Sequence, residues 1–320
     1  MVFNITECVD FHHGKRIVIT ILVCGHDVVI IMHKEGDALL IQQPVYYPFR
    51  EVIEDNGRIF VNNQLHYEDG KYTIDFEDFE KKIVDNNVKV FILCNPHNPV
   101  GRVWTKEELE KMGDICLKHN VVIMDDEIHC DFTYPGFKFT SFMTLDEKYH
   151  NSLVLYISPS KTFNVAGLQP ANIIIKNPEL RAAYRKANAA AGYSQGSIMG
   201  QVAVKSVYTK GDEWVNELVE YITGNMNYMR DFVKENFPKA HFVDPEGTYL
   251  TWVDFSGYGF TDEELEHIMV EEAHLWLDSG KVFGPATAQF ERFNLACPRA
   301  TVVKAMEQLK AALDNHTKWA

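Results

Sequence analysis

From Ala38 onward, continuous apolar runs alternate with segments in which apolar residues recur every three or four positions. The runs are Ala38 to Gln42, Val88 to Cys94, Val121 to Met124 and Leu153 to Ile157, and the helical patterns between them are Phe76 to Val84 and Thr105 to His119. Runs without polar alternation suit strands buried on both faces, so this order predicts a mostly parallel sheet with helices on each side. Thr105 with Glu108 three residues on reads as a reciprocal helix cap. Further along, Gly211 breaks the pattern and a long helix is expected from Asp212 to Phe237, stopped by Pro238. Gly247 to Phe255 and Phe290 to Ala296 then read as strands, and Asp262 to Glu272 and Ala300 to Asn315 as helices. The expected division is a large domain over residues 1–210, followed over 211–320 by an interdomain helix and a smaller C-terminal α/β domain.

Composition narrows the class. A chain of 320 residues with 46% hydrophobic and 24% charged positions is an ordinary globular protein large enough for two domains. A net charge of -14 argues against nucleic acid or an anionic membrane as partner. The six cysteines contain no C-x-x-C pair, so neither a zinc site nor a disulfide framework is expected, and reduced thiols point to the cytoplasm. The apolar stretch Ile17 to Ile31 is interrupted by Gly25, His26 and Asp27 and is too short to span a bilayer. It also lacks the cleavage site of a signal peptide.

Chemistry gathers where three of the runs end. Leu153 to Ile157 leads into Ser158-Pro159-Ser160-Lys161-Thr162-Phe163-Asn164, the run to Cys94 into Asn95-Pro96-His97-Asn98-Pro99-Val100-Gly101, and the run to Met124 into Asp125-Asp126-Glu127-Ile128-His129. An isolated Ser-x-x-Lys is most often a solvated turn. Parallel strands, however, deliver the residues after them to one sheet edge, and a lysine there is partly desolvated and so available as a nucleophile or base. A lysine, an amide and a carboxylate brought together this way fit pyridoxal 5'-phosphate: a Schiff-base lysine, a donor to the ring hydroxyl oxygen and a partner for the protonated pyridine nitrogen. Ser158-Pro159-Ser160-Lys161 also matches the Ser-x-x-Lys of penicillin-recognising hydrolases, but the companion Ser-Asp-Asn and Lys-Thr-Gly elements are absent from the sequence.

These motifs, with Gln42-Gln43-Pro44-Val45-Tyr46-Tyr47-Pro48-Phe49, Gly167-Leu168-Gln169 and Arg292-Phe293-Asn294-Leu295-Ala296-Cys297-Pro298-Arg299, give a chain that resembles the fold-type I pyridoxal-phosphate enzymes of the class I/II aminotransferase family. Within that family it looks most like the cystathionine β-lyase and cystalysin branch, the cysteine-S-conjugate β-lyases, over roughly Lys34 to the C-terminus. The resemblance implies a fold-type I α/β large domain, a smaller C-terminal α/β domain and a homodimer. It implies Lys161 as the catalytic, cofactor-bearing residue and Asp126, rather than Asp125, as the pyridine partner. Asn98 is the amide donor, held between two prolines, and Tyr46 is expected to stack on the ring. His129 is placed near the ring oxygen or the aspartate, with a purely buried role as the alternative. Ser158 and Ser160 are candidate phosphate donors, and Gln169 stands where many aminotransferases have arginine. Arg292 is the candidate grip on the substrate carboxylate, with Tyr47 beside the substrate and Arg299 as the nearest decoy.

The implied reaction is α,β-elimination from cystathionine or another L-cysteine S-conjugate, a small-molecule amino-acid substrate. Transamination is the alternative because it shares the early steps, and a non-catalytic protein that keeps the fold is the third reading. Met1 to His33 departs from the family. It has His12-His13-Gly14-Lys15-Arg16 and β-branched residues in place of the expected arm and glycine-containing phosphate loop, as a truncation, a frame change or a replacement with its own strand pair would produce. Gly284 to Gln289, before Arg292, likewise lacks the second glycine usual in the family.

Overall fold

The computed structural model describes residues 34–190 and 196–316, together with the backbone of β1 (Val18–Ile19). The other expectations for Met1 to His33 lie outside the described residues. The first half carries β2 (Ala38–Ile41), α1 (Pro48–Asp55), β3 (Ile59–Asn62), the hairpin β4 (His66–Glu68) and β5 (Lys71–Thr73), α2 (Phe76–Asp85), β6 (Val90–Cys94), α3 (Lys106–Lys118) and β7 (Val122–Asp126). β8 (Leu153–Ile157), β9 (Asn172–Ile174), α4 (Pro178–Ala190) and α5 (Ile198–Lys210) follow. The seven strands of the main sheet run β1-β9-β8-β7-β6-β2-β3. β8, β7, β6, β2 and β3 are parallel, whereas β9 is antiparallel to β8 and to β1.

The apolar runs are buried on both faces, as their lack of alternation requires. Leu40, Phe91, Leu93 and Ile123 pack with Phe79 and Ile83 of α2 and Leu109 and Met112 of α3. Leu39, Ile41, Ile92 and Met124 turn the other way, against Phe49 and Val52 of α1 and Tyr184 of α4. The expected α3 is capped as its sequence indicates, with Thr105 and Glu108 bonding to each other's backbone N–H.

α6 (Asp212–Asn236) leads into a four-stranded sheet of order β10-β11-β13-β12. Its strands are β10 (His241–Val243), β11 (Leu250–Asp254), β12 (Asp278–Ser279) and β13 (Phe290–Asn294), with α7 (Asp262–His267) and α8 (Arg299–Asn315) beside them. A second apolar cluster, including Met229, Phe255, Ile268, Phe293 and Met306, joins this sheet to α6 and α8. The helix expected over Asp262 to Glu272 instead widens into a π turn at Ile268–Glu272, where the Ala273 N–H reaches back five residues to the Ile268 carbonyl at 2.8 Å. Among the described residues no helix is long and apolar enough to cross a membrane.

Arg102 ties these parts together. Its side chain, about 7% exposed, donates to both oxygens of Glu108 at 3.0 Å, to Glu246 at 2.9 Å and to the Tyr72 carbonyl, and lies over the Trp104 ring. The second Glu246 contact, from the Val103 N–H at 2.8 Å, fixes the same carboxylate. Gly101, just before it, has φ +73° and a Cβ there would lie 2.5 Å from Pro245, so both backbone shape and the close approach of the 245–247 strap demand glycine. Arg102→Ala is expected to cost about 3–5 kcal/mol because it strands two partly buried carboxylates, and Arg102→Lys should recover only part, since one ammonium cannot reproduce the fork. Urea unfolding of the three proteins measures it; an alanine variant within 1 kcal/mol or so of the parent would contradict the clamp.

Candidate active site

Parallel register sets the site. Cys94 lies level with Asp126, and Asp126 with Tyr156, so the chain beyond β6, β7 and β8 emerges at one edge. β2 ends at the same edge and delivers Gln42 to Tyr47. The three motifs that end in Asn98, His129 and Lys161 therefore start from neighbouring strand ends. The loops are cross-linked there: the Asn95 N–H donates to the Asp126 carbonyl at 3.0 Å, the Glu127 N–H to the Tyr156 carbonyl at 2.9 Å, and His97 Nε2 pairs with the Pro44 carbonyl at 2.9 Å.

Asp126 is half-buried, and its Oδ1 accepts from the Ile128 N–H at 3.1 Å. Burial pushes its carboxyl up to about 6, opposed by that N–H and by the nearby Lys161 ammonium. His129 is buried, and burial, with Lys161 and Arg292 near it, pushes its imidazole down to about 3. At neutral pH the group is thus an uncharged ring packed edge-on against Tyr249, with centroids 5.3 Å apart. Lys161 is half-buried in the turn that follows β8. Thr162 fixes that turn by donating to Asp131 at 2.7 Å and accepting at its carbonyl from Trp214 Nε1 at 3.2 Å.

Arg292 and Asn98, 194 positions apart in the chain, meet: the guanidinium Nη1 donates to Asn98 Oδ1 at 2.9 Å. The bond uses the carbonyl end of the amide, leaving the amino end to donate elsewhere. Arg292 also pairs with Asp278 and lies over the Phe283 ring at 4.9 Å. Tyr47 packs edge-on to Phe283 at 5.9 Å and tilts against Tyr46 at 5.7 Å, so both tyrosines border the same corner. Arg299 goes elsewhere, its Nε donating to Asn225 at 2.6 Å and its guanidinium lying over Tyr228 of α6. Ser158 and Ser160 stand 2.6 Å apart at their hydroxyls, and both hydroxyls reach the Pro170 carbonyl. In this arrangement their donors are used within the turn.

Asp278, Asp131 with Thr162, and the contact of Gly284 with Gln43 were not foreseen. Gly284 has φ +149°, and a Cβ there would sit 3.3 Å from the Gln43 side chain, so the loop that leads to Arg292 closes directly onto the loop after β2. Nothing in the spacing of these residues announces that they meet; the Phe-Gly of Phe283-Gly284 was the available signal.

The sequence model of the class I and II aminotransferases matches residues 24–309, and the chain belongs to that family. Among known relatives it is similar to cystathionine beta-lyase PatB of Bacillus subtilis (strain 168), 41% identical over 278 residues, 87% of this chain and 72% of that protein. Protein MalY of Escherichia coli (strain K12) is 30% identical over 282 residues, 87% of this chain and 71% of MalY. The crystal structure of cystalysin from Treponema denticola, which contains a pyridoxal 5'-phosphate cofactor, superposes with a TM-score of 0.91 at 37% identity, covering 93% of this chain and 76% of cystalysin.

His97 offers a test of how firmly the strand-end loops exclude protons. Burial pushes its imidazole down to about 4, the Pro44 carbonyl opposing and Arg102 assisting. The folded protein therefore binds fewer protons than the unfolded chain between the ordinary histidine value near 6.5 and about 4, and stability falls as pH drops through that window. His97→Gln removes the titration while keeping a donor for Pro44. Its acid-side loss should be shallower than that of the parent by about 1.4 kcal/mol per pH unit, and identical slopes in pH-dependent urea unfolding would refute the neutral buried imidazole.

Proposed function

We propose that this protein is a pyridoxal-phosphate-dependent cysteine-S-conjugate β-lyase, acting on cystathionine or another L-cysteine S-conjugate. The observation that carries the reading is the Asn98–Arg292 bond at 2.9 Å, which joins a carboxylate-binding guanidinium to the strand edge that bears Asp126, His129 and Lys161. The residues present fit the cofactor. Nδ1 of His129 and Oη of Tyr156 are buried there without a hydrogen-bond partner among the described residues, and an acidic group and an amide amino end stand beside them. Such a set suits an aromatic cation bearing a hydroxyl. The relatives support it too, since PatB is a cystathionine beta-lyase and the cystalysin structure holds pyridoxal 5'-phosphate.

Asp126 would hold the pyridine nitrogen protonated, Asn98 would donate to the ring oxygen and Tyr46 would cover the ring face. Ser158 and Ser160 would serve the phosphate by rotating their hydroxyls away from Pro170. When bound, the cofactor supplies an electron-withdrawing ring that stabilises negative charge at Cα. Arg292 fixes the substrate α-carboxylate with its planar fork, Asp278 and Asn98 hold that fork in place, and Tyr47 lines the side. Lys161 would hold the cofactor through Nζ, and the same Nζ, when free, would take the substrate Cα proton. The Cβ–S bond then breaks and the thiolate leaves; with water the remainder gives pyruvate and ammonia.

A dimer completes the proposal. Ile198, Met199 and Val202 of α5 are 54–77% exposed on a helix whose buried residue is Gly200, and a second copy of the chain is the occupant we assign to that face. The four described cysteines are free thiols, which suits the reducing cytoplasm.

Two measurements check this reading. Cystathionine incubated with the cofactor-saturated protein and no keto acid should yield pyruvate and thiol continuously, and Asp126→Ala should slow it about a hundredfold or more, consistent with loss of a charge-assisted bond of roughly 3 kcal/mol. One turnover that resumes only on adding a keto acid would make the protein a transaminase; no reaction and no cofactor absorbance would make it non-catalytic. Sedimentation equilibrium should show a dimer that Ile198→Asp with Val202→Asp converts to monomer, and a monomeric parent would remove the second-copy assignment.

A further inference from the structure

Asp125 and Asp126 end β7 and Glu127 follows it, and the proposed reaction uses the middle acid of the three. The outer two face the opposite side of the sheet. Asp125 lies level with Leu93 and Leu155 on the side of Ile123, inside the cluster that contains Phe142 and Tyr149. It is 0% exposed and Glu127 is 2% exposed. Neither oxygen of Asp125 makes a well-formed hydrogen bond with an N–H or O–H among the described residues, and the Phe142 N–H that lies near it is donated to Glu127. What it does meet is the Glu127 carboxyl, at hydrogen-bonding contact. Glu127 in turn accepts from the Phe142 N–H at 2.9 Å and is bonded to Ser141.

Two carboxylates cannot bond to each other, since both only accept. Nor can an unpaired buried carboxylate stand in an apolar cluster without a donor. The contact is attractive only if a proton lies between them. We propose that Asp125 and Glu127 share one proton through the neutral range, forming a carboxyl–carboxylate pair that anchors the Ser141–Phe142 backbone to the end of β7 and positions Asp126 between them. The acidic run then carries two negative charges rather than three. One of these is on the pair, facing the core, and the other on Asp126, facing the site. The proton itself does not rest on the cofactor reading, whereas its service to Asp126 does.

Burial, followed by the mutual repulsion of the two groups, raises Asp125 well above the ordinary carboxyl range, and burial raises Glu127 as well, so that the pair holds on to a proton. The other titratable groups at the pair are Asp126 on the same strand and the Cys130 thiol. The folded protein thus keeps a proton that the unfolded chain releases near pH 4, and the folded-to-unfolded ratio falls with rising pH across that interval because of it.

The test replaces the proton by an amide. In Asp125→Asn the Nδ2 group donates permanently to Glu127, so relative to the parent the folded-to-unfolded ratio should gain about tenfold per pH unit between roughly pH 4.5 and 7. The infrared difference spectrum of the two proteins at neutral pH should show a protonated-carboxyl band lost from the parent. Asp125→Ala, which supplies no donor, should be the less stable variant throughout. Should Asp125→Asn fail to fold, Glu127→Gln makes the same exchange from the other side and carries the same expectation. Parallel pH curves with no carboxyl band lost, or an asparagine variant no better than the alanine, would overturn the shared proton. Both readouts are taken on the protein with and without added pyridoxal phosphate. If the cofactor reading alone is wrong, the visible cofactor absorbance is missing while the slope and the band remain.

Discussion

A buried guanidinium sets the geometry of this protein. Arg102 sits at the end of the loop that carries Asn98 and spends its donors on a hairpin carbonyl, a helix-capping carboxylate and a carboxylate from beyond α6. Each partner belongs to a different part of the chain, and both carboxylates are partly removed from water, where a charge unmatched by its partners would be costly. The consequence reaches the site. His97 donates its N–H to the Arg102 carbonyl, Gly101 bonds back to His97, and the Glu246 and Gly247 N–H groups both reach the Gly101 carbonyl. Asn98 is thus held from both sides before it meets Arg292.

The strand edge gathers charges that the interior would otherwise expel. Asp126, Lys161, His129 and Arg292 lie within one another's field, and burial acts on them unequally. It drives His129 to neutrality while the Lys161 ammonium and an N–H keep Asp126 ionised at neutral pH. Two cations, one anion and a neutral ring suit a ligand that is itself anionic at its carboxylate and phosphate ends and cationic at its ring. The second pair of acids, Asp125 and Glu127, stays out of this balance by facing the opposite layer. Adjacent residues on a strand point to opposite faces, and that alone separates the two roles.

Much of the architecture was legible from residue order. The runs at Ala38, Val88, Val121 and Leu153 became β2, β6, β7 and β8, and the caps, glycine break and proline stop bounded α3 and α6 within a residue or two. Short or evenly apolar segments were not legible. α1 is cut off from its predecessor only by a proline at its first turn, β9 is three residues long, and α5 has apolar residues on every side, so none carries a clear period.

At the site, sequence alone named Lys161, Asp126, Asn98, His129 and Arg292, because each ends or follows a strand or sits in a dense motif. Asp126 is preferred to Asp125 through the family resemblance, and in the structure these adjacent residues point to opposite faces of β7. The motif favours Arg292 over Arg299, but only the tertiary structure supplies the contacts that separate them. Arg292 and Arg299 are seven positions apart and chemically alike, but one lies on β13 facing Asn98 and the other opens α8 facing Asn225. The same holds for the Arg102 clamp, the Gly284–Gln43 contact and the Asp125–Glu127 pair. Strand register and loop closure create these contacts between side chains whose local sequence carries no trace of the partner, so their energy is a property of the folded chain and not of any segment within it.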